Sequence, residues 1–199
     1  MNELKKLELL RFEKEVARRF EAGEINGPVH LSGNNEDQLI EIFQKIAPWD
    51  YVFSTHRNHY HALLHGINPE SLMAEIRAGH SMNIFFPEQR FFTSSIVGGI
   101  LPIAVGVAAA LKRQNKIAPT VWAFVGDMCS NMGIFDECYR YARAYELPIT
   151  FVIEDNDVST NTPTQEVWGK YNSKVGLGII RYHYDRIYPH YGSGKNVQI

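Results

Sequence analysis

The sequence predicts an α/β fold in which helices cover both faces of a parallel β-sheet. Two mostly apolar runs, residues 121–125 and 149–153, have the length of strands, and a helical stretch from about 133 to 145 separates them. Strands joined through a helix in this way run parallel to each other. Runs with so few polar residues are typical of strands that are buried on both faces, which requires helices on both sides of the sheet.

Local signals predict the remaining elements. The expected elements are a helix over residues 3–22, a helix over 34–46, a strand over 51–53, a helix over 69–78 and a buried helix over 96–112. Gly23 and Pro48 supply stop signals for the first two helices. Asn68 and Pro69 have the chemistry of a helix cap and a first turn. Few apolar runs follow Thr162, so we expect the rest of the chain to be mostly irregular.

Composition limits the possible classes of function. With 199 residues, 45% of them hydrophobic, the chain can bury one core, and without repeats we expect a single domain over 1–199. A net charge of −2 argues against a nucleic-acid-binding surface and against a polybasic membrane anchor. The two cysteines form neither a metal pattern nor a disulfide framework. The charged N-terminal segment is unlike a signal peptide, so we expect a cytoplasmic protein without a membrane segment.

Polar residues follow both strands of the β-α-β unit. Gly126 and Asp127 end the first apolar run, and Asn156 follows the second within an acidic stretch, residues 154–157. Because ligands of parallel sheets bind at the carboxyl ends of the strands, we expect Asp127 and Asn156 to lie side by side there. Their oxygens suit a hard cation that also binds a phosphate. The alternative for each residue alone is a helix cap or a turn.

Several segments resemble a known family. Gly126-Asp127, a spacer of about thirty residues and Asn156 resemble the thiamine diphosphate-binding motif. The segments that resemble the alpha subunits of 2-oxo acid dehydrogenases are residues 31–36, 51–76 and 85–112, in the expected order. The resemblance covers about residues 8–162 and leaves 163–199 unassigned. It implies the thiamine diphosphate-binding fold of the transketolase-like superfamily.

The resemblance implies a set of metal ligands and phosphate contacts. Mg²⁺ takes oxygen ligands in an octahedron. The Asp127 carboxylate, the Asn156 side-chain oxygen and the Val158 main-chain carbonyl are expected to supply three of them. The main-chain N–H groups of Met128 and Cys129, at the start of a helix, are expected to face the diphosphate. Met128 departs from the family, which has a glycine at this position.

Other positions match residues that contact the rest of the cofactor. His56 and Arg57 stand where the family holds the diphosphate with Tyr-Arg, and the guanidinium fork of Arg57 suits that role. Ser95 and Val97 match positions whose main-chain atoms contact the aminopyrimidine. His59 matches a histidine that faces the reacting carbon, where it can transfer protons, so we predict that it is catalytic. The alternatives are a surface salt bridge for Arg57 and a structural role for one of the clustered histidines.

The resemblance also implies a partner and a reaction. In the family, a carboxylic acid from a separate beta subunit contacts the pyrimidine ring, so we expect a beta-like pyrimidine-binding subunit in an α2β2 assembly. The expected reaction on the small carbonyl substrate is decarboxylation of a 2-oxo acid with transfer of the acyl group. One alternative is the cofactor-binding half of a split transketolase-like enzyme that transfers a two-carbon or acyl unit. Another is a non-catalytic assembly module. The substrate itself is left open.

Overall fold

A six-stranded sheet forms the centre of the computed structural model, which describes residues 2–115, 118–169 and 175–195. The strands are β1 (Tyr51–Ser54), β2 (Phe85–Phe86), β3 (Phe91–Thr93), β4 (Val121–Gly126), β5 (Ile149–Asp155), β6 (Val158–Ser159), β7 (Thr162–Pro163) and β8 (Ile179–His183). The sheet has the order β2-β3-β1-β4-β5-β8, and β2 is its one antiparallel strand among the described residues. Strands β6 and β7 form a separate small hairpin.

Eight helices surround this sheet in the described part of the chain. They are α1 (Asn2–Glu21), α2 (Glu36–Phe43), α3 (His59–Leu64), α4 (Pro69–Glu75), α5 (Ile100–Arg113), α6 (Asp127–Ser130), α7 (Gly133–Ala144) and α8 (Thr164–Trp168). A π-helical turn, Ile76–His80, continues α4. The predicted cap of α4 is present, because the Asn68 side chain accepts hydrogen bonds from the main-chain N–H groups of Glu70 and Ser71. No helix in the described ranges has both the length and the apolarity to cross a membrane.

Alternating side chains of the central strands bury two separate hydrophobic clusters. Trp122 and Phe124 of β4 pack in one cluster with residues of α1, α2, α3 and α4. Ala123 and Val125 of the same strand pack in the other cluster with α5 and α7. The prediction of a mainly parallel sheet with helices on both faces is therefore confirmed. Strand β4 is apolar throughout because both of its faces are buried.

The structure corrects two predicted helix boundaries and adds elements near the end of the chain. Helix α2 ends at Phe43 and not at Ile46. Helix α5 begins at Ile100 and not at residue 96, because Gly98 has a φ of 77° and interrupts the helical conformation. The described residues after Thr162 are mostly irregular, as predicted, but they also supply α8 and β8, and β8 pairs in parallel with β5. Strand β8 has no long apolar run, and its ladder with a distant strand stabilises it.

The chain path creates a crevice between β1 and β4. From β1 the chain continues to β3 on one side, and it then returns to form β4 on the other side of β1. The loops that follow β1 and β4 therefore diverge at this point of the sheet. Such a topological switch point is where open parallel sheets bind ligands, at the carboxyl ends of the strands.

Candidate active site

A cleft lies at the carboxyl ends of five parallel strands. Its lining comes from the segments that follow β1, β3, β4, β5 and β8. The lining residues include Thr55, His56, Arg57, Ser94 to Gly98, Gly126 to Cys129, Glu154, Asn156, Val158 to Thr160, Tyr184, Arg186 and His190. Every residue predicted to bind the cofactor or the metal belongs to this lining. The predicted catalytic residue His59 does not.

Asp127 is a buried carboxylate without a basic partner. It is 1% exposed and begins α6 directly after β4. Its side chain accepts hydrogen bonds from the Thr164 hydroxyl and the Asn156 main-chain N–H. Burial raises the pKa of Asp127, and the nearby Asp155 carboxylate raises it further, while hydrogen bonds from the Thr164 hydroxyl and from the main chain of Asp127 and Asn156 oppose this rise. Among the described residues, no basic side chain forms an ion pair with Asp127, so a bound cation would relieve the burial of its charge.

Asn156 is oriented by a tyrosine from the last strand. Its amide nitrogen donates to the Tyr184 hydroxyl at 3.0 Å, and its amide oxygen accepts from the Val158 N–H at 3.2 Å. The oxygen has a second lone pair that this hydrogen bond leaves available. The Asn156 main chain also contacts the Asp127 carboxylate. The structure therefore brings the predicted metal ligands Asp127 and Asn156 together, with Val158 in the adjoining segment.

The basic wall of the cleft follows β1. Arg57 is 8% exposed, and its guanidinium donates to the main-chain carbonyl of Leu31 at 2.5 Å. This burial excludes the alternative of a surface salt bridge. The neighbouring His56 is half-buried, and burial together with the positive charge of Arg57 lowers its pKa to about 4. The His56 ring is therefore neutral near pH 7, and Arg57 carries the positive charge at this position.

The segment after β3 forms an exposed rim. The Ser95 main-chain N–H donates to the Asn83 side chain at 3.2 Å, and the Val97 side chain is 51% exposed. Gly98 turns this segment back towards α5. A Cβ atom there would lie 2.8 Å from the Ile134 side chain, and the positive φ adds strain for any other residue.

The segment after β4 presents main-chain donors to the cleft. Met128 and Cys129 lie in the first turn of α6, where N–H groups have no partner within the helix. The Met128 sulphur accepts from the Trp168 indole at 3.1 Å, which holds its side chain against α8. The Cys129 thiol is buried, and burial raises its pKa to about 12. The thiol is therefore protonated near pH 7.

His59 lies inside the protein, away from the cleft lining. It is fully buried at the start of α3, with Nδ1 2.8 Å from the Glu13 carboxylate and Nε2 2.9 Å from the Ser81 hydroxyl. Both ring nitrogens thus have protein partners from other segments. The catalytic role of His59 stays a prediction, and it would require the ring to leave these contacts.

The sequence pattern did not predict a buried polar network that lies beneath the cleft. The Tyr182 hydroxyl donates to the Glu154 carboxylate at 2.5 Å and accepts from the Asn35 amide at 3.2 Å. The same Glu154 oxygen, Oε1, lies 3.2 Å from Nε2 of His61. Asn35 directly precedes α2, where its side chain makes no capping hydrogen bond and joins this network instead. The sequence offered one sign of this network, because Glu154 lies close to Asn156 in the acidic stretch at the end of β5.

Comparisons with known proteins place the chain in a family. A family model described as the dehydrogenase E1 component matches residues 5–183. The chain belongs to this family. Membership confirms the predicted resemblance, and the match extends beyond residue 162 to include β8. The family implies thiamine diphosphate as the cofactor.

Curated relatives agree with this assignment. The chain is 33% identical over 170 residues to the pyruvate dehydrogenase E1 component subunit alpha of Zymomonas mobilis, with 80% of this chain and 48% of that protein covered. It is 32% identical over 161 residues to the alpha subunit of the acetoin:2,6-dichlorophenolindophenol oxidoreductase of Cupriavidus necator, with 76% and 48% covered. The chain thus spans about half the length of the curated relatives it matches.

Proposed function

We propose that this chain is the alpha-like subunit of a two-chain thiamine diphosphate-dependent enzyme, which decarboxylates a 2-oxo acid and transfers the acyl group. The carrying observation is the buried Asp127 carboxylate, which has no basic partner among the described residues and lies next to Asn156 in the cleft. A carboxylate, an amide oxygen and the Val158 carbonyl are hard oxygen donors that fit Mg²⁺. These three groups would hold the ion, and the ion would fix the diphosphate.

The rest of the cleft suits the organic part of the cofactor. Arg57 would bind the diphosphate through its fork of donors, with His56 beside it, and the main-chain N–H groups of Met128 and Cys129 would face the same anion. When bound, the cofactor supplies a nucleophilic carbon and an electron sink for cleavage next to a carbonyl. Gly126 ends β4 without a side chain that would obstruct the cleft.

The rim of the cleft has an exposed apolar surface that suits contact with a partner chain. Ile96 is 70% exposed and Val97 is 51% exposed, directly beside the cleft. Exposed apolar groups that are adjacent to a binding site are typical of surfaces that another protein covers. We propose that a beta-like pyrimidine-binding subunit covers this rim in an α2β2 assembly. The main-chain atoms of Ser95 and Val97 would then contact the aminopyrimidine between the two chains. A reducing, cytoplasmic setting is supported by the free thiols of Cys129 and Cys138.

Co-expression with a beta-type chain tests the proposal. We expect a stable complex that binds thiamine diphosphate in calorimetry with Mg²⁺ and loses binding with a chelator. Labelled pyruvate, branched 2-oxo acids, acetoin and ketose phosphates would then be compared as substrates, with release of CO₂ measured for the acids. A complex that binds no cofactor at saturating Mg²⁺ would refute the proposed function. Turnover of ketose phosphates alone would favour the transketolase-like alternative.

A further inference from the structure

We propose that His30, His56 and His190 form a binding site for a zinc-class divalent cation, separate from the oxygen-lined site at Asp127. The three histidines come from distant segments, namely the loop before α2, the segment after β1 and the segment after β8. One ring nitrogen from each histidine lies within 4.8 Å of the other two. The proposal rests on this cluster and does not depend on the identity of the cofactor or substrate.

The ring positions fit three ligands of one metal ion. The centroid separations are 4.6 Å for His30 and His56, 4.8 Å for His30 and His190, and 5.7 Å for His56 and His190. With a Zn–N distance of about 2.05 Å and near-tetrahedral angles, imidazole centroids around one zinc ion lie roughly 5 Å apart. The observed separations bracket that value, so the three rings are spaced as the imidazole ligands of one ion would be.

His30 provides an independent sign of a missing ligand. His30 is only 5% exposed, and its Nδ1 atom has no hydrogen-bond partner among the described residues. A buried polar atom without a partner costs free energy, and native proteins rarely leave one unsatisfied. The His56 and His190 rings pack against the His30 ring, with centroids 4.6 Å and 4.8 Å away. A metal ion there would accept the lone pair of a neutral His30 ring.

The protonation state supports metal binding. Burial and the neighbouring positive charges lower the pKa of His30 to about 2 and that of His56 to about 4. Burial, Arg57 and Arg186 likewise lower the pKa of His190. All three rings are therefore neutral near pH 7, which is the form that binds metal ions.

The chemistry of the donors selects the class of metal. Three imidazole nitrogens favour Zn²⁺ and its late first-row neighbours, whereas Mg²⁺ prefers oxygen. The groove beside the cluster is also lined by Ser159 and Thr160 and leaves room for a water molecule as a fourth ligand. Because Arg57 and Arg186 repel a dication, we expect micromolar affinity and not the tighter binding of a structural zinc site.

Metal titration of the purified 199-residue chain tests the proposal. We expect one equivalent of Zn²⁺ to bind, measured by competition with a chromophoric chelator, in the presence of excess Mg²⁺. Co²⁺ in its place should give the intense visible absorption of a four-coordinate ion with nitrogen ligands. Absence of stoichiometric Zn²⁺ binding would overturn the proposal.

Matched variants locate the bound ion. His56→Ala and His190→Ala should each weaken Zn²⁺ binding by at least about tenfold, since even the loss of an outer partner of a ligand costs that much. Asp127→Ala should leave Zn²⁺ binding unchanged. So should His80→Ala, which removes an exposed histidine that is paired with Glu75. Circular dichroism checks the fold of each variant. Unchanged binding in both ligand variants would refute the site. So would loss of binding in His183→Ala, because His183 belongs to the exposed group with Asp155 and Asp157.

Discussion

The two walls of the cleft differ in chemistry and in origin. The wall after β4 and β5 presents oxygen atoms, from Asp127 and Asn156, which one β-α-β unit places side by side. The opposite wall presents the nitrogen atoms of Arg57, His56 and His190, which belong to segments on either side of that unit. A local supersecondary unit thus creates the wall of oxygen atoms, whereas the wall of nitrogen atoms requires the closure of the whole sheet. Substitutions on each wall test this division.

The largest effect is expected at Asp127. Asp127→Ala removes the only carboxylate among the predicted metal ligands, so cofactor affinity in Mg²⁺ should fall by at least about 100-fold, measured by calorimetry on the co-expressed complex. The fold should survive, because the lost charge is buried without a basic partner in the described residues. Asp37→Ala, at an exposed pair with Lys6 outside the cleft lining, is the matched control. Retention of parental affinity would show that this wall does not hold the metal.

A substitution at His59 distinguishes a structural role of this buried histidine from a catalytic role. His59→Asn removes the partner of the buried Glu13 carboxylate, so we expect a loss of about 3 kcal/mol in the free energy of unfolding, measured with urea. The folded fraction should keep its kcat, because the ring does not line the cleft. Normal stability together with a large loss of kcat would instead establish the catalytic role.

Acid should destabilise the cluster formed by His30, His56 and His190. The ordinary histidine pKa of 6.5 is lowered to about 2 for His30. The unfolded chain therefore binds a proton below about pH 6.5 that the folded chain excludes, and stability falls as pH drops. We expect His30 alone to cost about 2 kcal/mol between pH 6.5 and about pH 5, measured by urea unfolding with a chelator present. A His30→Asn variant should show a shallower decline. An equal slope in both proteins would contradict the burial of a neutral ring.

Asn156→Ala should weaken Mg²⁺-dependent cofactor binding by about tenfold, less than the loss at Asp127, because a neutral ligand is removed and not a charge. Asn156→Asp, which keeps an oxygen at this position, is the informative companion in the same calorimetric assay. Unchanged affinity in the alanine variant would argue against the proposed cation geometry.

The smallest effect is expected at Tyr184, which orients the Asn156 amide through its hydroxyl. Tyr184→Phe should weaken cofactor binding by only about threefold, or less than 1 kcal/mol, the value of a typical hydrogen bond. In a double-mutant cycle this effect should vanish when Asn156 is already alanine. Additive effects would show that the tyrosine acts independently of the amide.

Much of the fold followed from short-range signals. The strands β4 and β5 and the helix α7 between them appear in the sequence as apolar runs and a helical period. Strand β8 gave no such signal, because Ile179 and Ile180 are the only aliphatic residues among its five, and its ladder with β5 stabilises it as a strand. The contact between the Asn35 side chain, which precedes α2, and the Tyr182 hydroxyl also gave no signal, because the two residues are far apart in the sequence.

By itself, the sequence determined the parallel β-α-β unit and the position of Asp127 and Asn156 at its carboxyl edge, because strand period, crossover length and polarity are local properties. Only the tertiary structure decided which histidines border the cleft. His59 lies inside the core while His30 and His190 approach His56. The reason is physical: the environment of a side chain depends on contacts between segments that are far apart in the chain, and those contacts form only when the sheet and its covering helices pack together.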